Sequence, residues 1–154
     1  MSGLTAFDAD VLIYAAAEGH PVGARVAELF AGTGAEAVGT GSVLLLAEVL
    51  TKPMREDPES DETAALISFL SRLELHPLDE PTALLAVALG VSYGLHAADA
   101  VHLATAANVG ADRFLTNNRK DFPSAITEIE VLYPDLLPTA APSRDRPEAS
   151  AATV

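Results

Sequence analysis

The sequence predicts an α/β fold in which a short, mostly parallel sheet is covered by helices. Short apolar segments alternate with stretches of helical periodicity from residue 4 to residue 132. The 154 residues are 49% hydrophobic and include only eight Phe and Tyr and no Trp, so most of the core comes from aliphatic side chains. This length and composition suit one compact domain. Strands that are separated by helices usually pair in parallel.

The first part of the chain predicts two strands and two helices. Residues 4–8 form a short apolar strand that runs into a helix beginning near Val11. Pro21 starts another helix, because apolar side chains recur after it at helical spacing as far as Phe30. After a Gly-rich break, residues 35–39 are predicted to form the second strand.

Two further helices are predicted in the middle of the chain. Ser42 is a candidate N-cap for a helix over 43–51, which we expect to end before Pro53 because a helix rarely continues into proline. An acidic connection follows and is expected to end in a helix cap at Asp61. The helix after this cap is predicted over 64–73.

The remaining elements continue the alternation. Residues 73–78 alternate like a strand, and helices are predicted over 81–91 and 98–108. Two short apolar segments, 113–116 and 129–132, complete the predicted sheet. In such folds ligands bind outside the carboxyl ends of the strands.

A change of composition divides the chain. We expect residues 1–137 to form the folded domain, whereas 138–154 are rich in Thr, Ala, Pro, Ser and charge. Such a segment buries too little apolar surface to order itself. We therefore expect 138–154 to be a disordered tail.

Composition also limits the possible chemistry. The absence of cysteine excludes disulfides, thiolate metal sites and cysteine nucleophiles. A net charge of minus 13 argues against a broad basic surface for phosphates, so a role in nucleic-acid binding requires metal ions or positive charge from another source. We expect a cytoplasmic protein without a membrane partner, because residues 1–5 do not resemble a signal peptide and no apolar run approaches the ~20 residues that span a bilayer.

Three acids occur where apolar residues would be expected. Asp8 follows the first strand, Glu48 interrupts an apolar helix, and Asp99 begins another apolar helix. Carboxylates that converge in this way suggest a hard cation, and Mg²⁺ or Mn²⁺ suits oxygen ligands. His102, three residues after Asp99, either faces the same cleft or packs in the core.

Structural explanations exist for some of these acids. Asp10 directly precedes an apolar helix and fits the role of N-cap, whereas Asp8 fits a functional role better. Glu48 is explained equally well by a salt bridge to Lys52, four residues later on the same helix. Helix capping explains Asp99 almost as well as metal binding does.

Four motifs occur in order along the chain: FDADVLIY, LAEVL, ADAVHLATA and FLTNNRKDF, at 7–14, 46–50, 98–106 and 114–122. Together they resemble the PIN-domain family, and more narrowly the VapC toxins of bacterial toxin-antitoxin pairs. The resemblance spans about residues 4–134 and implies a three-layer α/β/α fold with a Mg²⁺- or Mn²⁺-dependent endoribonuclease activity on RNA. It also implies a homodimer and a small antitoxin that inserts a basic residue into the acidic site.

The resemblance assigns roles to residues of this chain. The metal-binding acids map onto Asp8, Glu48 and Asp99, and Asn118 takes the place of the fourth catalytic residue. Its amide leaves one charge fewer than the acid of many relatives. The supporting or substrate-contacting candidates nearby are Asp10, Thr116, Asn117, Arg119 and Lys120.

Two other functions remain open on the sequence alone. The segment Phe7-Asp-Ala-Asp also resembles a haloacid-dehalogenase-like phosphatase, with Asp8 as nucleophile and Asp10 as general acid, although the later motifs fit that family poorly. Asn118 and the scarcity of basic residues would alternatively suit a catalytically inert PIN-like binding module.

Overall fold

The computed structural model describes residues 3–32, 34 and 36–137. The tail predicted over 138–154 lies outside the described residues. The described strands are β1 (Thr5–Phe7), β2 (Gly39–Ser42), β3 (Leu73–His76), β4 (Arg113–Leu115) and β5 (Glu130–Leu132). The described helices are α1 (Ala9–Ala16), α2 (Pro21–Glu28), α3 (Leu44–Glu56), α4 (Asp61–Ser71), α5 (Glu80–Tyr93) and α6 (Ala97–Asn108), followed by a 3₁₀ turn at Pro134–Leu136.

The five described strands form one parallel sheet in the order β3-β2-β1-β4-β5. In the register of the central strand, Ala6 lies opposite Thr40 on one side and Phe114 on the other. The chain leaves β1 toward β2 and later returns to the other side of β1 as β4. The carboxyl ends of β1 and β4 therefore flank the point where the strand order reverses, which is the usual ligand position in such sheets.

Helices cover both faces of the sheet, which confirms the predicted α/β architecture. Successive strand residues point to opposite faces. Phe7 and Leu115 pack in the core formed with α1 to α4, whereas Ala6 and Phe114 pack in the core formed with α5 and α6. The molecule is thus a helix–sheet–helix sandwich with a separate apolar core in each layer interface.

The second strand lies further along the chain than the predicted 35–39. It begins at Gly39, where a side chain would place its Cβ only 2.4 Å from the carbonyl oxygen of Thr5 on the neighbouring strand. Its last residue is Ser42, so the predicted N-cap at Ser42 is wrong: Val43 holds the cap position. The Ser42 hydroxyl still accepts the N–H of Leu44 at 3.1 Å.

Two helix limits also differ from the prediction. Helix α3 continues through Pro53 to Glu56. Because proline lies in its final turns, few backbone bonds are lost, and the Asp57 N–H bonds the Pro53 carbonyl at 2.9 Å. The cap of α4 is Ser60 rather than Asp61, and its side chain accepts the N–H of Thr63 at 3.1 Å.

None of the described helices is long and apolar enough to cross a membrane by itself. Taken together, α5 and α6 reach the required length and composition, but the chain bends by 116° between them.

Candidate metal centre

Asp8 follows β1 and is held at both carboxylate oxygens. Its extended backbone makes it the N-cap of α1, and its Oδ1 accepts the N–H of Ala9 at 2.8 Å. Its Oδ2 accepts the hydroxyl of Thr116 at 2.8 Å. The side chain is buried, at 4% exposure. Burial raises the pKa of Asp8 above its usual value, more than His102 and these hydrogen bonds lower it.

Thr116 connects Asp8 to the loop that follows β4. Its buried hydroxyl oxygen accepts the backbone N–H of Asn118 at 3.1 Å. Its hydroxyl proton is therefore directed to Asp8, which as a carboxylate can only accept. Because β1 and β4 are paired, the strand register itself places Thr116 beside Asp8.

Asp10 is not the N-cap of α1, contrary to the sequence prediction. It lies in the first turn of the helix, because the chain already becomes helical at Ala9. Its Oδ2 accepts the backbone N–H of Asn117 at 3.1 Å. Burial, and then repulsion from Asp8, raises the pKa of Asp10 to about 7. Asp10 thus anchors the loop after β4 to the start of α1.

Glu48 and Asp99 reach the same place from two different helices. They line a cavity of about 310 Å³ together with Asp8, Asp10 and Asn118. Asp99 lies in the first turn of α6. Burial raises the pKa of Asp99, and repulsion from Asp8 and Asp121 raises it further.

Of the two explanations for Glu48, the pairing with Lys52 does not form. Lys52 lies 3.9 Å from Glu56 at the exposed end of α3. Glu48 instead contacts the Nε2 atom of His102 through its Oε2, at 3.1 Å. Since His102 is buried and is not part of the cavity wall, the core-packing alternative describes it better than the cleft-facing one.

Asn118 lines the cavity, but its amide is occupied by Asp121. Its Nδ2 donates to Asp121 Oδ2 at 2.8 Å, and its Oδ1 accepts the Asp121 N–H at 3.2 Å. Asp121, whose charge acts on Asp99, was not among the residues predicted from the sequence. Its signal was the spacing: an acid three residues after Asn118, in the loop that follows a strand.

The two basic candidates lie in the same loop. The Arg119 guanidinium stacks 4.1 Å from the ring centre of Tyr133 and forms an ion pair with Asp135. The structure therefore holds Arg119 against its own chain, although half of its side chain remains exposed, at 52%. Lys120 is exposed beside it.

The chemistry of the cavity fits a hard divalent cation. Every charged side chain on its wall in the described chain is a carboxylate, and the pKa values of three of them are raised by burial and by their mutual repulsion. No group of three or more His, Asp or Glu side chains within the described ranges is arranged to hold a metal. The fit therefore rests on the donor type: Mg²⁺ binds carboxylate oxygens, keeps several waters and is completed by substrate phosphate.

The raised pKa of Asp10 predicts a pH-dependent stability in the absence of metal. A carboxyl whose pKa rises from 3.8 unfolded to about 7 folded stabilises the fold most at low pH. That stability is lost as pH rises through this window, at most about 1.4 kcal/mol per pH unit for one group. We expect the Tm in EDTA to fall from pH 4 to pH 7, and to fall less steeply in Asp10→Asn, which still accepts the Asn117 N–H.

Asp79→Asn provides the control for that measurement. Asp79 caps α5, and its hydrogen bonds to Thr82 lower its pKa. The stability that Asp79 contributes is therefore lost only when the pH falls below the usual pKa range of a carboxyl. The slope between pH 4 and pH 7 should be the same in Asp79→Asn as in the wild type. An equal slope in Asp10→Asn and the wild type would contradict the assignment to Asp10.

Comparison with known proteins agrees with the fold. Two solved structures share the fold with a TM-score of 0.65. One is a toxin-antitoxin complex from Klebsiella pneumoniae, with 24% identity over 85% of this chain and 97% of that chain. The other is VapBC2 from Rickettsia felis, bound to a DNA fragment from the VapBC2 promoter. It has 19% identity over 84% of this chain and 98% of that chain. Curated proteins yield no match. The PIN domain model matches residues 6–129, a range that contains Asp8, Glu48 and Asp99, and the chain therefore belongs to the PIN domain family.

Proposed function

We propose that this protein is a metal-dependent endoribonuclease that acts in the cytoplasm as the toxin of a VapBC-type pair. The observation that carries the proposal is the cavity at the carboxyl edge of the sheet, where three predicted ligands, Asp8, Glu48 and Asp99, share one wall. Members of the PIN family are generally nucleases. The family assignment gives no support to the alternative haloacid-dehalogenase-like phosphatase.

The residues of the chain prepare the cavity for a phosphodiester. Asp8, Glu48 and Asp99 would hold Mg²⁺ or Mn²⁺, and Thr116 keeps the Asp8 carboxylate in one orientation. A bound cation would supply Lewis-acid polarisation of the scissile phosphate and a lowered pKa for the attacking water. Asp10 and Asn118 complete the wall, and Asp10 also secures the loop through the Asn117 N–H.

RNA contact is assigned to the loop after β4. Lys120 is exposed, and Arg119 retains an exposed side chain while it stacks on Tyr133. With a net charge of minus 13, the protein attracts RNA poorly at long range. We therefore assign most of the phosphate recognition to the bound cation and the remainder to this basic pair.

Removal of one ligand charge tests the nuclease directly. We expect Asp8→Asn and Asp99→Asn each to abolish cleavage of labelled RNA in Mg²⁺, by at least about 100-fold, because both weaken cation binding. In EDTA their Tm should stay level or rise, since each change removes carboxylate repulsion.

Glu130→Gln, an exposed change on β5, is the matched control and should cleave like the wild type. Cleavage retained in both cavity variants would refute the assignment of the site. A wild type that neither cleaves RNA nor changes its Tm with Mn²⁺ would instead identify the inert binding module.

A groove beside the cavity supports the antitoxin proposal. Side chains of α1, α3 and α4 enclose about 190 Å³, and the groove shares Ile13 and Glu48 with the acidic cavity. Its wall combines apolar residues such as Leu66 with the acids Glu48, Glu56 and Glu62 and with one base, Lys52, which lies 3.9 Å from Glu56. This surface suits an apolar peptide segment that carries a basic side chain into the cavity. One of the two solved neighbours is a toxin-antitoxin complex, and the other is VapBC2 bound to promoter DNA.

Antitoxin binding should depend on the cavity acids themselves. We expect the product of the adjacent gene to bind more slowly as ionic strength rises and more weakly in Mn²⁺, because its basic residue and the cation occupy one position. The triple variant Asp8→Asn, Glu48→Gln, Asp99→Asn should bind at least about tenfold more weakly, measured by surface plasmon resonance.

A variant of equal net charge separates contact from long-range attraction. Its three changes, Glu28→Gln, Glu59→Gln and Glu130→Gln, affect exposed acids outside the groove. This variant should bind the antitoxin with a lower association rate and an unchanged dissociation rate. Equal weakening of both triple variants would mean that the basic residue does not enter the cavity.

An apolar face on α5 supports the homodimer. Leu84, Val87 and Val91 recur on one side of the helix and are exposed by 63%, 64% and 82%. Beside them lies a cavity of about 340 Å³ whose small residues, including Ala86 and Gly90, allow close approach of another helix. We propose that a second copy of the chain covers this face, because α5 is uncharged from Pro81 to Tyr93.

Sedimentation equilibrium should give a dimer at micromolar concentration. Val91→Asp buries an unpaired charge in the proposed interface and should give a monomer with an unchanged Tm at low protein concentration. Ile67→Asp, which alters an exposed residue on the opposite side of the sheet, should remain dimeric. A monomeric wild type, or a dimeric Val91→Asp, would contradict the proposed interface.

A further inference from the structure

His102 is a buried histidine whose two nitrogens have unequal surroundings. The residue is 2% exposed and lies on α6. Its Nε2 is 3.1 Å from Glu48 Oε2, whereas its Nδ1 is buried and has no hydrogen-bond partner among the described residues. Because a carboxylate only accepts hydrogen bonds, the Nε2 atom carries the proton that forms this contact.

Neither nitrogen is available to a cation. Nε2 is engaged by Glu48, and the imidazole is absent from the wall of the acidic cavity. His102 is nevertheless adjacent to the cavity: Asp99 lies three residues earlier on the same helix, and the Glu48 carboxylate that His102 contacts lines the cavity. The imidazole thus holds one acid of the cavity wall without forming part of the cavity surface.

The contact joins two helices that carry different acids. Glu48 comes from α3 and Asp99 from α6. Within the described chain, His102 is the hydrogen-bonding partner found for the Glu48 side chain, which is 30% exposed and has several rotatable bonds. A hydrogen bond at Oε2 restricts the rotamers that this side chain can adopt, and Glu48 lines the cavity in the conformation that the contact holds.

The unpartnered Nδ1 argues against a purely space-filling role. A buried nitrogen without a hydrogen bond costs stability, and a leucine would fill a similar volume without that cost. The feature that distinguishes histidine at this position is therefore its hydrogen bond to Glu48.

We infer that His102 is a positioning residue: its Nε2–H holds Glu48 in the rotamer that meets the cation together with Asp8 and Asp99. The inference rests on the proposed metal-dependent function. Hydrogen-bond partners of metal ligands commonly change metal affinity by 10–100-fold when they are removed.

Calorimetric titration of the full chain with Mn²⁺, without RNA, tests this role. His102→Leu should bind Mn²⁺ at least about tenfold more weakly, with a Tm in EDTA that is level or higher. His102→Gln, whose amide N–H replaces Nε2–H, should recover most of the affinity. Leu103→Ala, which removes a neighbouring core side chain of α6, should lower the Tm and leave the affinity unchanged. Wild-type affinity in His102→Leu would overturn the inference.

A double-mutant cycle identifies Glu48 as the intermediary. If His102 acts through Glu48, the Mn²⁺ affinity lost in His102→Leu with Glu48→Gln should be close to that lost in Glu48→Gln alone. Losses that simply add would overturn the inference, because His102 would then affect the cation by another route.

A metal-free measurement separates this inference from the proposed function. In the wild type, ¹⁵N NMR of the histidine rings should show a proton on His102 Nε2 that exchanges slowly with solvent. In Glu48→Ala that proton should exchange at least about tenfold faster. An unprotonated Nε2, or unchanged exchange, would overturn the role of His102 even if the wild type binds Mn²⁺. A wild type that fails to bind Mn²⁺ would refute the proposed function, and the NMR result would still decide the contact. If His102→Leu does not fold, the NMR spectra of the wild type and of Glu48→Ala still decide whether His102 contacts Glu48.

Discussion

Buried negative charge at the carboxyl edge of the sheet is the constraint on which the site depends. Asp8, Asp10 and Asp99 share one cavity, and burial raises the pKa of each, with repulsion from neighbouring acids adding to it. Acids in such surroundings weaken the fold when they ionise. The fold must therefore supply compensating contacts, and a cation that binds there relieves the same repulsion.

The compensation comes from backbone dipoles and from strand pairing. Asp8 caps α1 and Asp99 lies in the first turn of α6, so both carboxylates face the positive end of a helix dipole. Pairing of β1 with β4 adds the Thr116 hydroxyl to Asp8 and the Asn117 N–H to Asp10. These contacts orient the acids, but they leave the total charge of the cavity unchanged. An all-oxygen, negatively charged cavity follows from this geometry.

In the proposed function, the cavity also links catalysis to inhibition. Ile13 and Glu48 belong both to the acidic cavity and to the groove between α1, α3 and α4. In the proposed function, a partner in this groove is therefore already adjacent to the cation position. The apolar face of α5 lies on the other side of the sheet, so a second copy bound there leaves the groove open.

Much of the architecture could be predicted from the sequence, because hydrophobic periodicity is a local signal. The apolar segments around Ala6 and Phe114 indicated strands, and the contrast between Glu48 or Asp99 and their apolar neighbours singled out both acids. Limits that depend on sheet pairing were less accessible: the close approach of Gly39 to β1 sets where β2 begins. Pro53 suggested an early helix end, but its position in the last turns of α3 made it tolerable.

By itself the sequence determined the alternation of strands and helices and the two apolar faces of the sheet. It also determined that the side chains of the candidate site are carboxylates. Only the tertiary structure decided that Asp8, and not Asp10, caps α1, and that Asp121 engages Asn118. It also decided that Glu48 meets His102, 54 residues away, and not Lys52, one turn away. The physical reason is that periodicity specifies which face of an element is buried. Contacts between distant side chains depend on strand order, register and helix packing, which no local pattern encodes.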